Sequence, residues 1–391
     1  MDHAADFDLI DLARLRGVGS LKWTLFPETI GAFVAEMDFG TAPEVTAALH
    51  AAVELGAFGY LPDSLSAAMA QAGASWHRTV YGWDITADQV HPIADVVAGL
   101  QLAIEHFSRP GAPVILPTPA YMPFLSVPLM MDREIIQVPL LESDDGFRMD
   151  LEGLDAAYRA GGHLLILCNP YNPVGKVFTS AELAAIAAVV ERHDGRVFSD
   201  EIHSPLVYPG GRHVPYASLS PVTAGHTVTS TSASKAWNLP GLKCAQLIVS
   251  NDADAEIWER IGQLASHGAS TLGVIANTTA FTEGRPWLQS VVGYLDTNRK
   301  LLADLVAEHL PGVRYCPPQG TYIGWLDCRP LGLDVAPADF FREHAGVALT
   351  DGADCGEAGV GHVRLVFATP RPILEQAVTQ MGEALRGRGR A

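Results

Sequence analysis

Six short apolar runs lie between residues 113 and 250, each cut off by turn residues, and they set the tightest limit on how this chain can fold. They are PVILP at 113–117, EIIQVPL at 134–140, HLLILC at 163–168, RVFSD at 196–200, TVTST at 227–231 and AQLIVS at 245–250. A strand that is apolar along its whole length, not only at alternate residues, has no face left for water and belongs in a sheet covered on both sides. Helical spacing at 42–56, 65–78 and 96–107 supplies cover, and TSAELAAIAAVVERHD adds a helix opened by a capping box from Thr179 to Glu182. The expectation is an α/β fold with a mostly parallel central sheet flanked by helices. Ligands of such sheets bind beyond the carboxyl ends of the strands, so the residues that follow each run carry the functional information.

Size and charge narrow the function classes. The 391 residues leave room for two or three domains of about 150 residues each, and the 48% that are apolar can fill a large core. A formal net charge of −18 repels phosphate backbones and anionic lipid, so neither nucleic acid nor membrane is an expected partner. No uncharged apolar stretch approaches the roughly 20 residues of a membrane helix. The acidic start, MDHAADFDLIDLARLRG, lacks the basic-then-apolar order of a signal peptide. Cys168, Cys244, Cys316, Cys328 and Cys355 are odd in number, widely spaced and form no CxxC pair. Disulfides and a metal site are therefore not expected, and the reading is of a cytoplasmic protein.

At the strand ends the chemistry converges. PTPAYMPF follows the run at 113, NPYNPVGKVF the run at 163, DEIHSPLVY completes the run at 196, and SASK follows the run at 227. Tyr121, Asn172, Asp200 and Lys235 thus arrive at one edge of one sheet. A lysine held among small apolar and hydroxyl residues loses hydration, its pKa falls, and its neutral amine can form Schiff bases with aldehydes. An aldehyde on a pyridine ring would want a carboxylate at the ring nitrogen and an amide at its phenolic oxygen. It would also want an aromatic on its face and hydroxyls or a helix N-terminus at a phosphate. Those needs are the needs of pyridoxal 5'-phosphate.

The chain resembles the fold-type I pyridoxal-phosphate enzymes of the aminotransferase class I/II superfamily. More narrowly, it is similar to their cystathionine β-lyase-like (MalY/PatB-type) C–S lyase branch. The resemblance rests on SLKW, VAEMDF, FGYLPD, PTPAYMPF, NPYNPVGKVF, SDEIHSPLVY, TSASKAWNLPGLK, EGRPWL, PQGTYIGWLDCR and GHVRLVFATPRP, in order from residue 20 to 372. It implies that Lys235 carries the cofactor and removes the substrate Cα proton, and that Asp200 keeps the pyridine nitrogen protonated. It further implies that Asn172 bonds the phenolic oxygen, Tyr121 stacks on the ring, and Ser232 and the amides of Val96 and Val97 take the phosphate. Lys243 stands where many relatives place a phosphate-binding arginine, Tyr60 would reach the phosphate of a neighbouring subunit, and Arg364 would clamp the substrate carboxylate. His203 fits the lyase branch, where aminotransferases often carry tyrosine, and would contact the cofactor oxygen. The branch usually reads ADMDF and DEIHxD; here Glu36 and Pro205 depart from it, which bears on substrate choice and not on the cofactor.

Plainer roles remain open for each residue. Asn172 sits in a proline-rich turn, Tyr121 and Tyr60 could simply pack, and Arg364 in a buried strand could serve an internal salt bridge. Taken together, the resemblance implies β-elimination on an S-substituted L-cysteine, giving a thiol, pyruvate and ammonia. The alternatives are an aminotransferase, an enzyme cleaving or decarboxylating a larger S-cysteinyl conjugate, and a regulatory partner-binding protein that keeps the fold. The expected architecture is a large domain over 45–285 and a small one combining 1–44 with 286–391. The working unit is expected to be a homodimer with shared sites.

Overall fold

The computed structural model describes residues 4–143 and 146–388. Its centre is a seven-stranded sheet: β1 (Val90–Ile93), β2 (Val114–Thr118), β3 (Ile135–Pro139), β4 (Leu164–Cys168), β5 (Arg196–Asp200), β6 (Thr227–Thr231) and β7 (Ala245–Val249), in the spatial order β1-β7-β6-β5-β4-β2-β3. β3, β2, β4, β5 and β6 run parallel, and β7 lies antiparallel to both β6 and β1. Every residue of β2, β4, β6 and β7 is buried, as the uninterrupted apolar runs require. All six anticipated strands are present. β1 was not anticipated, because its four residues include Pro92, which argues against a strand.

Helices Val96–His106, Met122–Met130, Leu151–Arg159, Ser180–Arg192 and Asp252–Ala265 cover the sheet, and their buried apolar residues form one core with the strands. The anticipated capping box is made: Glu182 N–H donates to Thr179 Oγ1 (3.2 Å) and Thr179 N–H to Glu182 Oε2 (2.8 Å). The helix at 122–130 escapes a reading by spacing, since it holds both Pro123 and Pro128.

A second sheet, β8 (Arg314–Tyr315), β9 (Ile323–Asp327), β10 (Thr350–Asp351) and β11 (His362–Val366), is antiparallel throughout in the order β8-β9-β11-β10. The 25-residue helix Arg285–His309 runs between the two sheets in the sequence. The N-terminal segment joins this second body: Ile30–Gly31 pairs in parallel with Val347–Ala348, and Phe7, Ile10, Leu15 and Trp23 share a core with residues of β9 and β11.

One buried ion pair fixes that segment. Lys22 Nζ donates to Asp38 Oδ2 at 2.8 Å, Trp23 Nε1 donates to Asp38 Oδ1 at 2.9 Å, and Asp38 N–H bonds the Ala368 carbonyl at 3.0 Å. SLKW and MDF are thus two halves of one clasp. Removing one partner strands a buried charge, so Asp38→Ala is expected to lower stability by about 3–5 kcal/mol. A chemical-denaturation midpoint matching that of the parent protein would contradict this.

Candidate active site

β2 and β4 are neighbours whose onward connections run in opposite directions across the sheet, and in such sheets a ligand crevice lies at the carboxyl ends of the strands where this happens. Tyr121, Asn172, Asp200 and Lys235 follow or end β2, β4, β5 and β6, so all four border it. Arg364 enters from β11 of the second sheet.

Local bonding explains why Lys235 is held there. Ser232 follows β6 as the N-cap of the short helix Ala233–Ala236, accepting from Ser234 N–H (3.0 Å) and donating to the Cys244 carbonyl (2.7 Å). Trp237 is fully buried against Trp76 and Phe281 and donates Nε1–H to the Gly284 carbonyl (2.9 Å). Asn238 adopts a left-handed φ of 58° and grips Met37 from both sides, through Nδ2 to the Met37 carbonyl and Oδ1 from Met37 N–H, each 2.9 Å. The loop that precedes Met37 is thereby fixed over the lysine. Lys235 Nζ donates to the Ala35 carbonyl at 3.0 Å, and Tyr322 Oη donates to the same oxygen at 3.0 Å. Burial, helped by the Arg364 charge, pulls the Lys235 ammonium down to about 8. Among the described residues it has no ion-pair partner, so its amine is available to an aldehyde.

Asp200 is buried, and burial pushes its carboxyl up to about 6. Oδ1 accepts from Ile202 N–H (3.0 Å), whereas Oδ2 is met by the Cys168 thiol at 3.6 Å, a weak donor. A buried carboxylate with one strong donor wants another, and a protonated ring nitrogen would supply it. His203 is buried with Nδ1 unpartnered, and burial together with Lys235 and Arg364 lowers its imidazole to about 3, so it is neutral.

Arg364 is 2% exposed and, among the described residues, meets no carboxylate. It donates to the Phe33 carbonyl (2.8 Å) and to Asn172 Oδ1 (3.4 Å), while Nε is unpartnered. The internal salt bridge that its strand position also allowed is not what it makes. An unneutralised buried guanidinium is suited to a carboxylate brought by a ligand. Tyr121 caps the helix Met122–Met130, lies edge-on to Phe124 and is half-buried; burial raises its phenol pKa against the pull of Arg364.

The residues expected to take the phosphate lie at the start of the helix Val96–His106 and beside it. Val96 and Val97 open the helix Val96–His106, and their N–H groups have no acceptor within it, while Asp95 takes the Ala98 N–H (2.8 Å). Lys243 Nζ bonds Asp95 Oδ2 at 2.8 Å, which balances that carboxylate. Tyr60 stands apart from all of these: it is 90% exposed, its ring 5.7 Å from that of His267. Four contributors were not singled out from the residues: the Ala35 carbonyl, Tyr322, Asn238 and Cys168. TYIGW and VAEMDF lie in segments that carried the resemblance, but nothing in them marked a hydroxyl or a carbonyl as facing Lys235.

These groups, an amine, a carboxylate, an amide, an aromatic and a helix N-terminus with unpaired buried donors between them, fit pyridoxal phosphate. Known proteins agree in sequence and shape. A cystathionine beta-lyase of Corynebacterium glutamicum is 38% identical over 378 residues, 96% of this chain and 99% of that protein. The crystal structure of a candidate PLP-dependent beta-cystathionase from Corynebacterium diphtheriae superposes with a TM-score of 0.92 at 40% identity, covering 96% of this chain and 98% of that one. Cystalysin from Treponema denticola, crystallised with pyridoxal 5'-phosphate, gives 0.89 at 29% identity, over 95% and 97% of the two chains. The model of the family described as aminotransferase class I and II matches residues 33–380, and the chain belongs to that family.

Proposed function

We propose that the chain is a pyridoxal-phosphate-dependent carbon–sulfur β-lyase acting on S-substituted L-cysteines of the cystathionine type. The observation that carries this reading is a half-buried Lys235 with a buried Asp200 and Arg364, each lacking an ion-pair partner among the described residues, in a chain 38% identical over 96% of its length to a cystathionine beta-lyase. Pyridoxal phosphate, when bound, supplies the aldehyde that takes the substrate amine and the ring that draws electrons from Cα.

The chain's own residues do the rest. Arg364 grips the substrate carboxylate and so fixes which Cα bond faces Lys235, an orientation effect. Lys235, neutral in a desolvated site, accepts the Cα proton. Asp200 holds a proton on the ring nitrogen, Asn172 bonds the phenolic oxygen and Tyr121 covers the ring face. Neutral His203 sits close without adding a charge that would compete. Val96 and Val97 N–H, Ser232 turned from the Cys244 carbonyl, and Lys243 receive the phosphate. The β-thiolate departs with the electrons of its C–S bond, and the released 2-aminoacrylate takes up one water to give pyruvate and ammonia.

The assembly is part of the proposal. Tyr60 serves the phosphate of a neighbouring subunit, so the working unit is a homodimer, and the chain divides into a cofactor-bearing domain over 45–285 and a smaller one from 1–44 with 286–391. Among the described residues no disulfide links any of the five cysteines, which supports a reducing cytoplasm. Tyr60→Phe is expected to weaken pyridoxal-phosphate retention about tenfold; unchanged affinity by equilibrium dialysis would count against the shared site. The lyase itself is tested by adding L-cystathionine to the loaded protein and assaying pyruvate and free thiol together without a keto acid. Equal amounts of both are expected. No thiol, with conversion of an added keto acid to its amino acid, would establish an aminotransferase instead.

A further inference from the structure

We infer that Tyr322 is a positioning residue that acts through Lys235: its hydroxyl occupies part of the one acceptor the Lys235 amine meets, and so favours the neutral amine over the ammonium. The inference rests on the reading of Lys235 given above and adds the group that prepares it. Lys235 must be neutral twice, once to attack the cofactor aldehyde and again to accept the Cα proton.

The first support is a shared oxygen. Lys235 Nζ and Tyr322 Oη both donate to the Ala35 carbonyl, each at 3.0 Å, and among the described residues the amine makes no other hydrogen bond. An ammonium carries three donors, whereas a carbonyl oxygen offers two lone pairs. With one of them given to the phenol, the ammonium is left with a single, already polarised acceptor. Hydrogen bonding to the charged form is what favours that form, so a rival donor on the same oxygen works against it.

The second support is that neither the hydroxyl nor the carbonyl can swing away. Tyr322 is 1% exposed, and its own carbonyl accepts from Phe367 N–H (3.0 Å). Thr321, just before it, is β-branched, fully buried and held at a φ of 63°, where such side chains are rarely found. Thr321 N–H on the Leu206 carbonyl (2.7 Å) and Tyr208 Oη on the Thr321 carbonyl keep it there. Such strain persists only where the surroundings over-determine it, and it tends to gather at functional sites. On the other side, the Glu36 carbonyl takes Lys22 Nζ (3.3 Å) and Asn238 grips Met37, so the Ala35 oxygen is fixed as well.

The charges felt at the amine are those of Arg364 on β11, Asp200 on β5 and Glu36 in the N-terminal segment; His203 lies near the amine and Tyr121 near Tyr322. Tyr322→Phe leaves all of these in place and keeps the ring that stands edge-on to His203 (5.9 Å). An effect on the amine in that variant therefore belongs to the hydroxyl.

The test follows the rate at which the cofactor-free parent and Tyr322→Phe take up pyridoxal phosphate as pH is raised, read from the visible absorbance of the bound cofactor. The parent should reach its half-maximal rate near pH 8. The variant should reach it about half a pH unit to one unit higher, so that uptake at pH 7 falls about three- to tenfold while the high-pH plateau is unchanged. A midpoint that stays or falls overturns the inference, and so does a lowered plateau with an unmoved midpoint, the sign of a packing role alone. The midpoint does not depend on how much of the variant is folded, so partial misfolding leaves the answer readable. Uptake also needs no elimination. A raised midpoint in a protein that releases no pyruvate from L-cystathionine would leave Tyr322 in its role and remove the lyase, whereas pyruvate release with an unmoved midpoint would do the reverse.

Discussion

Lys235→Ala is expected to reduce pyruvate release from L-cystathionine about 10⁴-fold, the upper range of what one acid–base group contributes. The same variant should lose the visible absorbance of covalently held pyridoxal phosphate. It should nonetheless fold. The Lys235 amine makes one hydrogen bond, to the Ala35 carbonyl, and burial already disfavours its charge. Its removal thus gives back a desolvation cost of the same order as the bond it loses. Tyr322 Oη still satisfies the Ala35 oxygen. The parent protein offers a second measurement on the same amine. Only the neutral form attacks an aldehyde, so the rate at which cofactor-free protein takes up pyridoxal phosphate should climb with pH and level off above about 8. A residual elimination rate within tenfold of the parent in Lys235→Ala would remove Lys235 from the chemistry.

What could be read from the sequence is what the side chains themselves announce. Runs of apolar and β-branched residues such as LLILC and TVTST mark the strands, and the polar residues that follow them mark the candidate site. The direction of β7 could not be read, because an apolar strand has the same composition whichever way it runs; only its hydrogen bonds to β6 and β1 reveal it as antiparallel. The Lys22–Asp38 pair escaped for a related reason. Each charge alone looks like a solvated residue, and the pairing exists only once two segments meet across the small body. The acceptor over Lys235 escaped most completely, because it is a backbone carbonyl and any residue type carries one. Asp95 shows the opposite case. A cap before VVAGLQLAIEH is legible in principle, yet its bond to Lys243, 148 positions away, is a tertiary fact.

Asp200→Asn should separate what this residue does for the fold from what it does for the reaction. In the cofactor-free protein its carboxyl titrates near 6 instead of 3.8, chiefly because burial penalises the charge. Between those values the folded state holds a proton that the unfolded state has lost, so stability falls as pH rises through about 6. The contribution is complete below 3.8, and at pH 7 the ionised, buried carboxylate leaves the fold weaker by about 3 kcal/mol than it would be if the group stayed neutral. Asparagine is neutral at every pH and its oxygen can still accept from Ile202 N–H. The cofactor-free variant should therefore be more stable than its parent at pH 7, by up to that amount, and indistinguishable from it near pH 3.5. With pyridoxal phosphate bound the balance reverses, because the carboxylate gains a cationic partner at the ring nitrogen and the amide cannot. Elimination should then fall about 10³-fold. A cofactor-free asparagine variant less stable than its parent at pH 7 would mean that Asp200 is satisfied without the cofactor. The physical case for its facing a ring nitrogen would go with it, since that case is that a buried carboxylate held this poorly is kept for a partner the chain itself does not contain.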